Sequence, residues 1–315
     1  MAGSGEPLNV LLVGAESAAI QVLNGLAGRG HRVVGVLADE PTVSVGKGLA
    51  GAAAGLGIQT IEASNVKDPA FGDWIAEREV DLLLNVHSLS IAVDEVVSAP
   101  RIGSFNLHPG PLPAYAGMNV FCWAIYNGET SHAVTLHWMD AGLDTGLIAY
   151  EETFPITDRD TGLSVFTKCV RAGVPLVFRL LEQAAADPAG IPRRPQIGER
   201  RLFLRKDVPH DGRIDWNRPA HSVRDLLRAC DFWPFPSPWG TPVAVLGDVT
   251  MTIAAATLTG ERCAAPPGTV GPADDDAVRV ATADEWLSVR GTTADGRPVP
   301  PIDALDSGRP VAAPV

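Results

Sequence analysis

Short apolar runs alternate with segments of helical spacing in the first third of the chain. Residues 8–13, 32–37 and 81–86 (LNVLLV, RVVGVL and DLLLNV) are apolar over the length of a strand, which is typical of strands buried on both faces. Between the first two runs, a turn at Gly14 leads into a short amphipathic segment that ends near Leu26. This order of strand, helix and strand predicts a βαβ unit and a mostly parallel sheet.

The same patterns predict elements further along the chain. Alternation of period 2 predicts strands, and apolar residues spaced three and four apart predict helices. The predicted strands are at 58–61, 104–108, 132–140 and 147–155, and the predicted helices are at 47–56, 69–78, 116–126 and 162–186. The third of these helices is expected to begin near Gly117.

A change of composition predicts a second domain. Residues 187–198 hold three prolines and two glycines, which is typical of a linker. After the linker, a helix is predicted at 220–229, followed by strands at 243–246, 250–254, 269–270, 277–281 and 286–290. Several short strands at close spacing predict a small β-barrel. The expected organisation is therefore a domain at 1–190, a linker at 191–204 and a second domain at 205–315.

Three polar side chains are predicted to meet at one edge of the sheet. Asn106 and His108 lie two apart in a strand, so they face the same side, and Pro109 ends that strand. His108 is then at a carboxyl end, where open α/β sheets place their sites. Asp144 lies in a loop turned by two glycines after the 132–140 strand, and this loop can reach the same edge.

An amide, an imidazole and a carboxylate at one edge suit acyl transfer to an amine. The Asn106 amide can donate to a carbonyl oxygen as negative charge develops there, a contact worth about 3–4 kcal/mol. His108 can move the proton of the amine, and Asp144 can fix the tautomer of the imidazole and stabilise its protonated form. Taken alone, an Asn at a strand end is usually a turn former and a His is usually structural. It is the combination that indicates catalysis.

The segments that carry these residues resemble a known family. The matching motifs are Phe105-Asn106-Leu107-His108-Pro109 with Leu112-Pro113 and Gly117, and Met139-Asp140 with Gly142-Leu143-Asp144-Thr145-Gly146. They are similar to motifs of the 10-formyltetrahydrofolate-dependent formyltransferases, and a weaker resemblance to the two-domain, methionyl-tRNA formyltransferase-like members covers about 8–299. The resemblance implies a Rossmann-like N-terminal catalytic domain, an OB-like C-terminal domain, and catalytic roles for Asn106, His108 and Asp144.

The resemblance also implies which residues surround the reacting groups. The segment after the 81–86 strand would hold the pterin ring of 10-formyltetrahydrofolate through backbone groups, together with part of the Asp144 loop. The implied folate residues are Ser88, Leu89, Ser90, Ile91, Asp140, Gly142 and Leu143, and the candidate amine contacts are Tyr115, Met118 and Asn119. His87 is either a direct contact or a strand-end residue. The aromatic loop at 233–239 is either an interdomain wedge or a collar over the substrate.

The distribution of charge bears on the amine acceptor. The net charge is −12, with 14 basic against 22 acidic residues before Arg205 and 11 against 15 from Arg205 onward, so neither half is a basic platform for tRNA. The tRNA-acting members carry a basic loop after the second strand, whereas residues 41–48 offer only Lys47. The Tyr-Ala-Gly-x-Asn run at 115–119 is similar to the amino-sugar and natural-product members.

We therefore expect N-formyl transfer from 10-formyltetrahydrofolate to a primary amine of a small molecule. Amino sugars, amino acids, peptide-like intermediates of natural-product biosynthesis and carrier-bound intermediates are all possible acceptors. Two alternatives remain open, a methionyl-tRNA formyltransferase and a formyltetrahydrofolate hydrolase that uses water as the acceptor.

Composition bears on compartment and on metal binding. Hydrophobic residues at 46% and charged residues at 20% are typical of a soluble enzyme. The apolar run at 8–13 is too short for a signal or membrane helix, so a cytoplasmic protein is expected. The resemblance implies that it acts in one-carbon metabolism. The cysteines are far apart and form no Cys-x-x-Cys pair, so neither a metal site nor a disulfide framework is predicted.

Overall fold

The structure, a computed structural model, describes residues 6–38, 48–246, 249–274, 277–292 and 298–299. The chain divides into two compact units. The first unit comprises Met1–Gly117, His132–Phe154 and Thr167–Leu202, and the second comprises Met118–Ser131, Pro155–Phe166 and Phe203–Val315. The predicted domain boundaries at 190 and 205 stay a prediction. Lys47 lies outside the described residues.

A seven-stranded sheet forms the core of the first unit. Its strands, with one further short strand β6, are β1 (Asn9–Gly14), β2 (Arg32–Ala38), β3 (Thr60–Glu62), β4 (Leu82–Val86), β5 (Gly103–His108), β6 (Ala116–Gly117), β7 (Ser131–Trp138) and β8 (Ile148–Pro155). The sheet order is β3-β2-β1-β4-β5-β7-β8. Strands β1 to β5 pair in parallel and β7 pairs antiparallel to β5, so the predicted mostly parallel sheet is confirmed.

Helices alternate with the strands, as the apolar pattern predicts. They are α1 (Glu16–Gly28), α2 (Leu49–Gly55), α3 (Phe71–Glu77), α4 (Asp94–Ser98), α5 (Val120–Tyr126), α6 (Gly162–Ala186) and α7 (Ala220–Cys230), with short 3-10 turns at Ala63–Lys67, Pro188–Gly190 and Pro209–Gly212. The 162–186 prediction matches α6, whereas the five-residue α4 has too few residues for a periodic signal. None of the helices in the described part of the chain combines the length and apolar character that a membrane crossing requires.

The expected helix start near Gly117 is wrong. Ala116–Gly117 is extended, and the helix begins only at Val120, because Asn119 has a left-handed backbone with φ 55°. Asn tolerates this conformation better than most residues, so the apolar spacing of the run could not reveal where it starts.

The two faces of β5 and β7 differ in polarity. Asn106 pairs with His137 and His108 with Thr135 across the two strands, so these four side chains share one face. On the other face, a side chain at Gly173 of α6 would lie only 3.0 Å from Leu107 and Val134, so α6 packs directly against these strands. The apolar face thus anchors the strands, and the polar face is left for chemistry.

A curled antiparallel sheet forms most of the second unit, as the strand spacing predicts. A short strand β9 (Leu202–Phe203) precedes it, and its own strands are β10 (Val243–Leu246), β11 (Val249–Arg262), β12 (Val270–Asp274), β13 (Ala277–Ala281), β14 (Glu285–Thr292) and β15 (Pro298–Val299). The order is β10-β11-β14-β13-β12, with β15 on β14. Strand β11 is 14 residues long and extends well beyond the predicted 250–254. The prediction was too short because register shifts within the strand break the alternation of apolar positions.

Candidate active site

The carboxylate of Asp144 lies between the two polar residues of β5. Its Oδ1 accepts a hydrogen bond from Asn106 Nδ2 at 3.1 Å, and its Oδ2 lies 3.5 Å from His108 Nδ1. The backbone N–H of Gly117 also donates to Oδ2, at 2.8 Å. The three residues that sequence analysis singled out are therefore close neighbours, although they come from two separate segments of the chain.

The loop between β7 and β8 brings Asp144 to this edge. Asp144 itself has a left-handed backbone, with φ 54°. A side chain at Gly142 would collide with Thr145, and one at Gly146 would collide with the carbonyl of Trp138, so both positions require glycine. The two glycines predicted to turn the loop are needed for close approach, since neither has a positive φ.

His108 is buried and hydrogen-bonded on one side. Its Nε2 lies 2.6 Å from the carbonyl oxygen of Tyr115, which can only accept, so Nε2 carries the proton and Nδ1 directs its lone pair toward Asp144. Burial lowers the pKa of His108, and this effect outweighs the raising effect of Asp144 and of the Tyr115 carbonyl. The imidazole is therefore neutral at pH 7 and can take up a proton at Nδ1.

Asp144 remains ionised despite its burial. Burial alone would raise the pKa of its carboxyl, but His108 and the backbone N–H of Gly117 hold that pKa well below the usual range. A permanent negative charge beside Nδ1 of His108 favours the protonated imidazole. The arrangement can thus accept one proton, at Nδ1 of His108.

Sequence analysis missed the role of His137. Its Nδ1 lies 2.7 Å from the carbonyl of Trp138 and must carry a proton, so its Nε2 is the acceptor for Asn106 Nδ2 at 3.1 Å. Both hydrogens of the Asn106 amide thus point at fixed acceptors, one on His137 and one on Asp144. The alternation of the 132–140 run already places residue 137 on the same face as Thr135, and that signal could have identified it.

The implied folate residues lie at the ends of β4 and β7. Leu89 and Ile91 follow β4 with 55% and 58% of their surface exposed, and the backbone N–H of Ser90 donates to Ser88 Oγ. Asp140 accepts from the backbone N–H of Gly142 at 3.1 Å, and Leu143 follows in the same loop. An open cavity of about 430 Å³, lined by α4, the start of β5, Met139 and Asp140, adjoins this loop.

The three candidate amine contacts lie close together in the sequence. Tyr115 belongs to the first unit and its ring is buried edge-on against His132, so it meets the site through its backbone carbonyl. Met118 and Asn119 belong to the second unit. In the 233–239 loop of that unit, Trp233 is 71% exposed whereas Trp239 is buried. The contacts of these residues with an amine stay a prediction.

His87 lies directly after β4 and is fully buried. Its backbone is left-handed, with φ 56°, and burial together with the nearby His108 lowers its pKa to about 4. The histidine is therefore neutral at physiological pH. Within the described part of the chain, no group of His, Cys, Asp or Glu has an arrangement that could hold a metal ion.

Two family profiles match this chain. The one described as Formyl transferase covers residues 8–179, and the one described as Formyl transferase, C-terminal domain, covers residues 208–309. The chain belongs to the formyl transferase family. Methionyl-tRNA formyltransferase of Bradyrhizobium sp. (strain ORS 278) is 30% identical to it over 310 residues, which is 95% of each chain.

Solved structures similar to this formyl transferase share its fold. The N-formyltransferase from Helicobacter canadensis in complex with folinic acid and dTDP-3-aminofucose is 19% identical, with a TM-score of 0.70 over 90% of this chain and 98% of that chain. HypX from Aquifex aeolicus in complex with tetrahydrofolic acid is 20% identical, with a TM-score of 0.62 over 95% of this chain and 47% of that chain.

Proposed function

We propose that this formyl transferase moves the formyl group of 10-formyltetrahydrofolate to a primary amine of a small molecule. The observation that carries the proposal is the cluster of Asn106, His108 and Asp144 at the carboxyl end of β5. An amide donor and a neutral imidazole, each within 3.5 Å of an ionised carboxylate, supply what acyl transfer to an amine needs.

The surroundings of the cluster suit a folate. A pterin ring is flat, with polar edges and apolar faces, and such rings bind between apolar side chains and backbone groups. The exposed Leu89 and Ile91 offer the apolar surface, and the cavity of about 430 Å³ beside Asp140 offers the space. The similar proteins from Helicobacter canadensis and Aquifex aeolicus were solved with folinic acid and with tetrahydrofolic acid, which supports the assignment.

The site residues divide the chemistry among them. The amine nitrogen attacks the formyl carbon of the folate, and the bond between that carbon and N10 of the folate breaks. The amine loses one proton in this exchange, and the same number of protons has to reach N10 of the departing tetrahydrofolate. His108 takes the proton of the amine, directly or through a water, and Asp144 stabilises the resulting imidazolium. Asn106 is the only one of the three that is not fully buried, so its amide can turn from His137 and Asp144 to donate to the developing oxyanion.

A small-molecule acceptor is favoured by the sequence and by one of the relatives. The Tyr115 to Asn119 run is similar to the amino-sugar and natural-product members, and the Helicobacter canadensis structure holds dTDP-3-aminofucose. We therefore propose an amino sugar, an amino acid or a peptide-like intermediate of natural-product biosynthesis, free or carrier-bound, as the acceptor.

A panel of such amines, incubated with 10-formyltetrahydrofolate, tests the proposal. We expect release of tetrahydrofolate that depends on one of the amines, and a product heavier by one formyl group in mass spectrometry. Release without any amine would instead favour the hydrolase. No release with any amine, from protein that is folded by circular dichroism, would contradict formyl transfer to these acceptors.

Initiator methionyl-tRNA is the second candidate acceptor. The match to methionyl-tRNA formyltransferase covers 95% of both chains, and residues 193–206 contain six Arg or Lys and one acidic residue in an otherwise acidic protein. Such a run can contact phosphates. Formylation of charged initiator tRNA at catalytic enzyme concentration, with a steep decrease on added salt, would favour this acceptor over the small amines.

A further inference from the structure

The segment 194–201, which we call the arm, was predicted to be part of a linker. We propose that Gln196 of this arm is a positioning residue for formyl transfer, and that it holds the backbone of the Asp144 loop so that the carboxylate faces His108. The inference rests on the proposed function, in which Asp144 and His108 act together on the proton of the amine.

Gln196 binds the loop on both sides of its tight turn. Its Nε2 donates to the carbonyl of Asp144 at 2.9 Å and to the carbonyl of Gly146 at 2.8 Å, which uses both hydrogens of the amide. Arg200 adds a third hydrogen bond, from its guanidinium to the carbonyl of Leu143 at 2.8 Å. Carbonyls of three of the four residues from 143 to 146 are therefore held by side chains of the arm.

The loop needs such support because its conformation is unfavourable. A left-handed backbone at a residue other than glycine costs about 1 kcal/mol or more and persists only where the surroundings impose it. At Asp144, the side chain is held by Asn106 and Gly117, and the backbone is held by Gln196. Without the amide of Gln196, the backbone of Asp144 is free to relax and the carboxylate can leave His108.

The arm is itself fixed relative to the site. Arg194 forms a pair of backbone hydrogen bonds with Ile148, just beyond the Asp144 loop. At its other end, the Arg201 N–H donates to the carbonyl of Pro113, and the Ala116 N–H donates to the carbonyl of Arg201. The arm therefore joins the segment that carries Asp144 to the segment whose Tyr115 carbonyl binds His108.

The substitution Gln196→Met tests this inference, because methionine has a similar length and no donor. We expect kcat to decrease about 10- to 100-fold, as for a reacting group displaced by about 1 Å, with little change in KM for folate. Gln183→Met is the matched control. Gln183 Nε2 also binds one backbone carbonyl, that of Asp187, at 2.8 Å, at the end of α6 and remote in sequence from the Asp144 loop. This control is expected to keep full activity.

The titration of His108 separates positioning from a general loss of stability. Besides burial, the groups that shift the pKa of this imidazole are Asp144, the Tyr115 carbonyl and His137. His108 in turn lowers the pKa of the neighbouring His87 and His132. Displacing Asp144 removes the negative charge that favours imidazolium, so the midpoint of the acid limb of kcat should move to lower pH in Gln196→Met. It should not move in Gln183→Met.

A double-mutant cycle and NMR give the decisive outcomes. In an Asp144→Asn background, Gln196→Met should cause no further loss of kcat, since the carboxylate that it positions is already gone. Two results overturn the inference: a full additional loss in that background, or an unchanged His108 titration by NMR in Gln196→Met. The NMR titration uses no substrate, so it remains decisive even if the proposed formyl transfer fails in every assay.

Discussion

Two clusters of this formyl transferase, one in each unit, bury nitrogen-bearing side chains in opposite ways. In the first unit, Asn106, His137 and Asp144 form a network in which each amide hydrogen meets an acceptor. In the second unit, the indoles of Trp123 and Trp239 pack with ring centroids 4.9 Å apart, and neither buried Nε1 has a hydrogen-bond acceptor among the described residues. Directional contacts hold the first cluster together, and ring packing holds the second.

This difference decides what a substitution should do in each place. A buried polar group that loses its partner costs about 1–3 kcal/mol, and in a catalytic cluster it also costs rate. A buried N–H that has no acceptor contributes nothing through hydrogen bonding, so its removal costs only the packing of the ring.

The largest effect is expected for the substitutions His108→Ala and Asn106→Ala. Each should lower turnover about 1,000-fold, which corresponds to about 4 kcal/mol of transition-state stabilisation. Steady-state kinetics with 10-formyltetrahydrofolate and the accepted amine measures this. The exposed His221 of the second unit gives the control His221→Ala, expected at wild-type turnover. Near-native turnover in either site variant would contradict the assigned roles.

The next largest expected effect is a loss of stability at low pH, caused by two buried histidines of the first unit. Burial lowers the pKa of His132 and of His87 to about 4, so the unfolded chain binds protons more readily than the folded one between pH 6.5 and 4. Above pH 6.5, protonation of these histidines does not affect the free energy of unfolding. As the pH falls below 6.5, each histidine lowers the free energy of unfolding, by about 3 kcal/mol at pH 4. Urea unfolding at several pH values measures it.

The substitution His132→Phe is the test of that assignment. It removes the titrating ring and should flatten the decrease in the free energy of unfolding between pH 6.5 and 4. An unchanged slope would show that the acid sensitivity has another origin.

An intermediate effect is expected at His137. His137→Ala removes the acceptor of Asn106 and should lower kcat about 10- to 100-fold, since a misplaced donor loses part of its contact with the oxyanion. His137→Gln can place an amide oxygen near the position of Nε2, so it should retain more activity than His137→Ala. Equal losses in the two variants would argue against an acceptor role.

The smallest effect separates two buried tryptophans of the second unit. Trp216 and Trp239 are 7% and 6% exposed, but only Trp216 donates from Nε1, to the carbonyl of Val245 at 3.3 Å. Trp→Phe removes the same ring volume at both positions. The variant at 216 should therefore lose about 1 kcal/mol more in free energy of unfolding than the variant at 239. Equal losses would show that the hydrogen bond adds nothing.

The positions of the catalytic candidates were accessible from sequence because they follow local rules. Alternation in 104–108 places Asn106 and His108 on one face, and prolines end the strand directly after them. Two glycines indicate the loop that carries Asp144. The long helix α6 is also predicted at its observed bounds, since 25 residues of periodic apolar spacing leave little ambiguity.

The contacts of the arm could not be derived in this way. Prolines and glycines in 187–198 indicate an irregular backbone, but composition does not reveal what such a segment touches. The contacts of Gln196 and Arg200 with the Asp144 loop join residues about fifty positions apart. Similarly, the start of α5 depends on the left-handed Asn119, for which a periodic pattern contains no signal.

The interleaved path of the chain limits how this protein can be recombined. The second unit includes Met118–Ser131 and Pro155–Phe166, which lie within the N-terminal family match and are anchored by residues far downstream. Phe121 packs on Phe232, and Arg228 donates to the carbonyls of Thr157 and Asp160. A gene fusion or a truncation with its boundary after residue 190 would remove the residues that contact both segments. Shuffling of this enzyme with its relatives therefore has to exchange the inserted segments and the C-terminal sheet as one set.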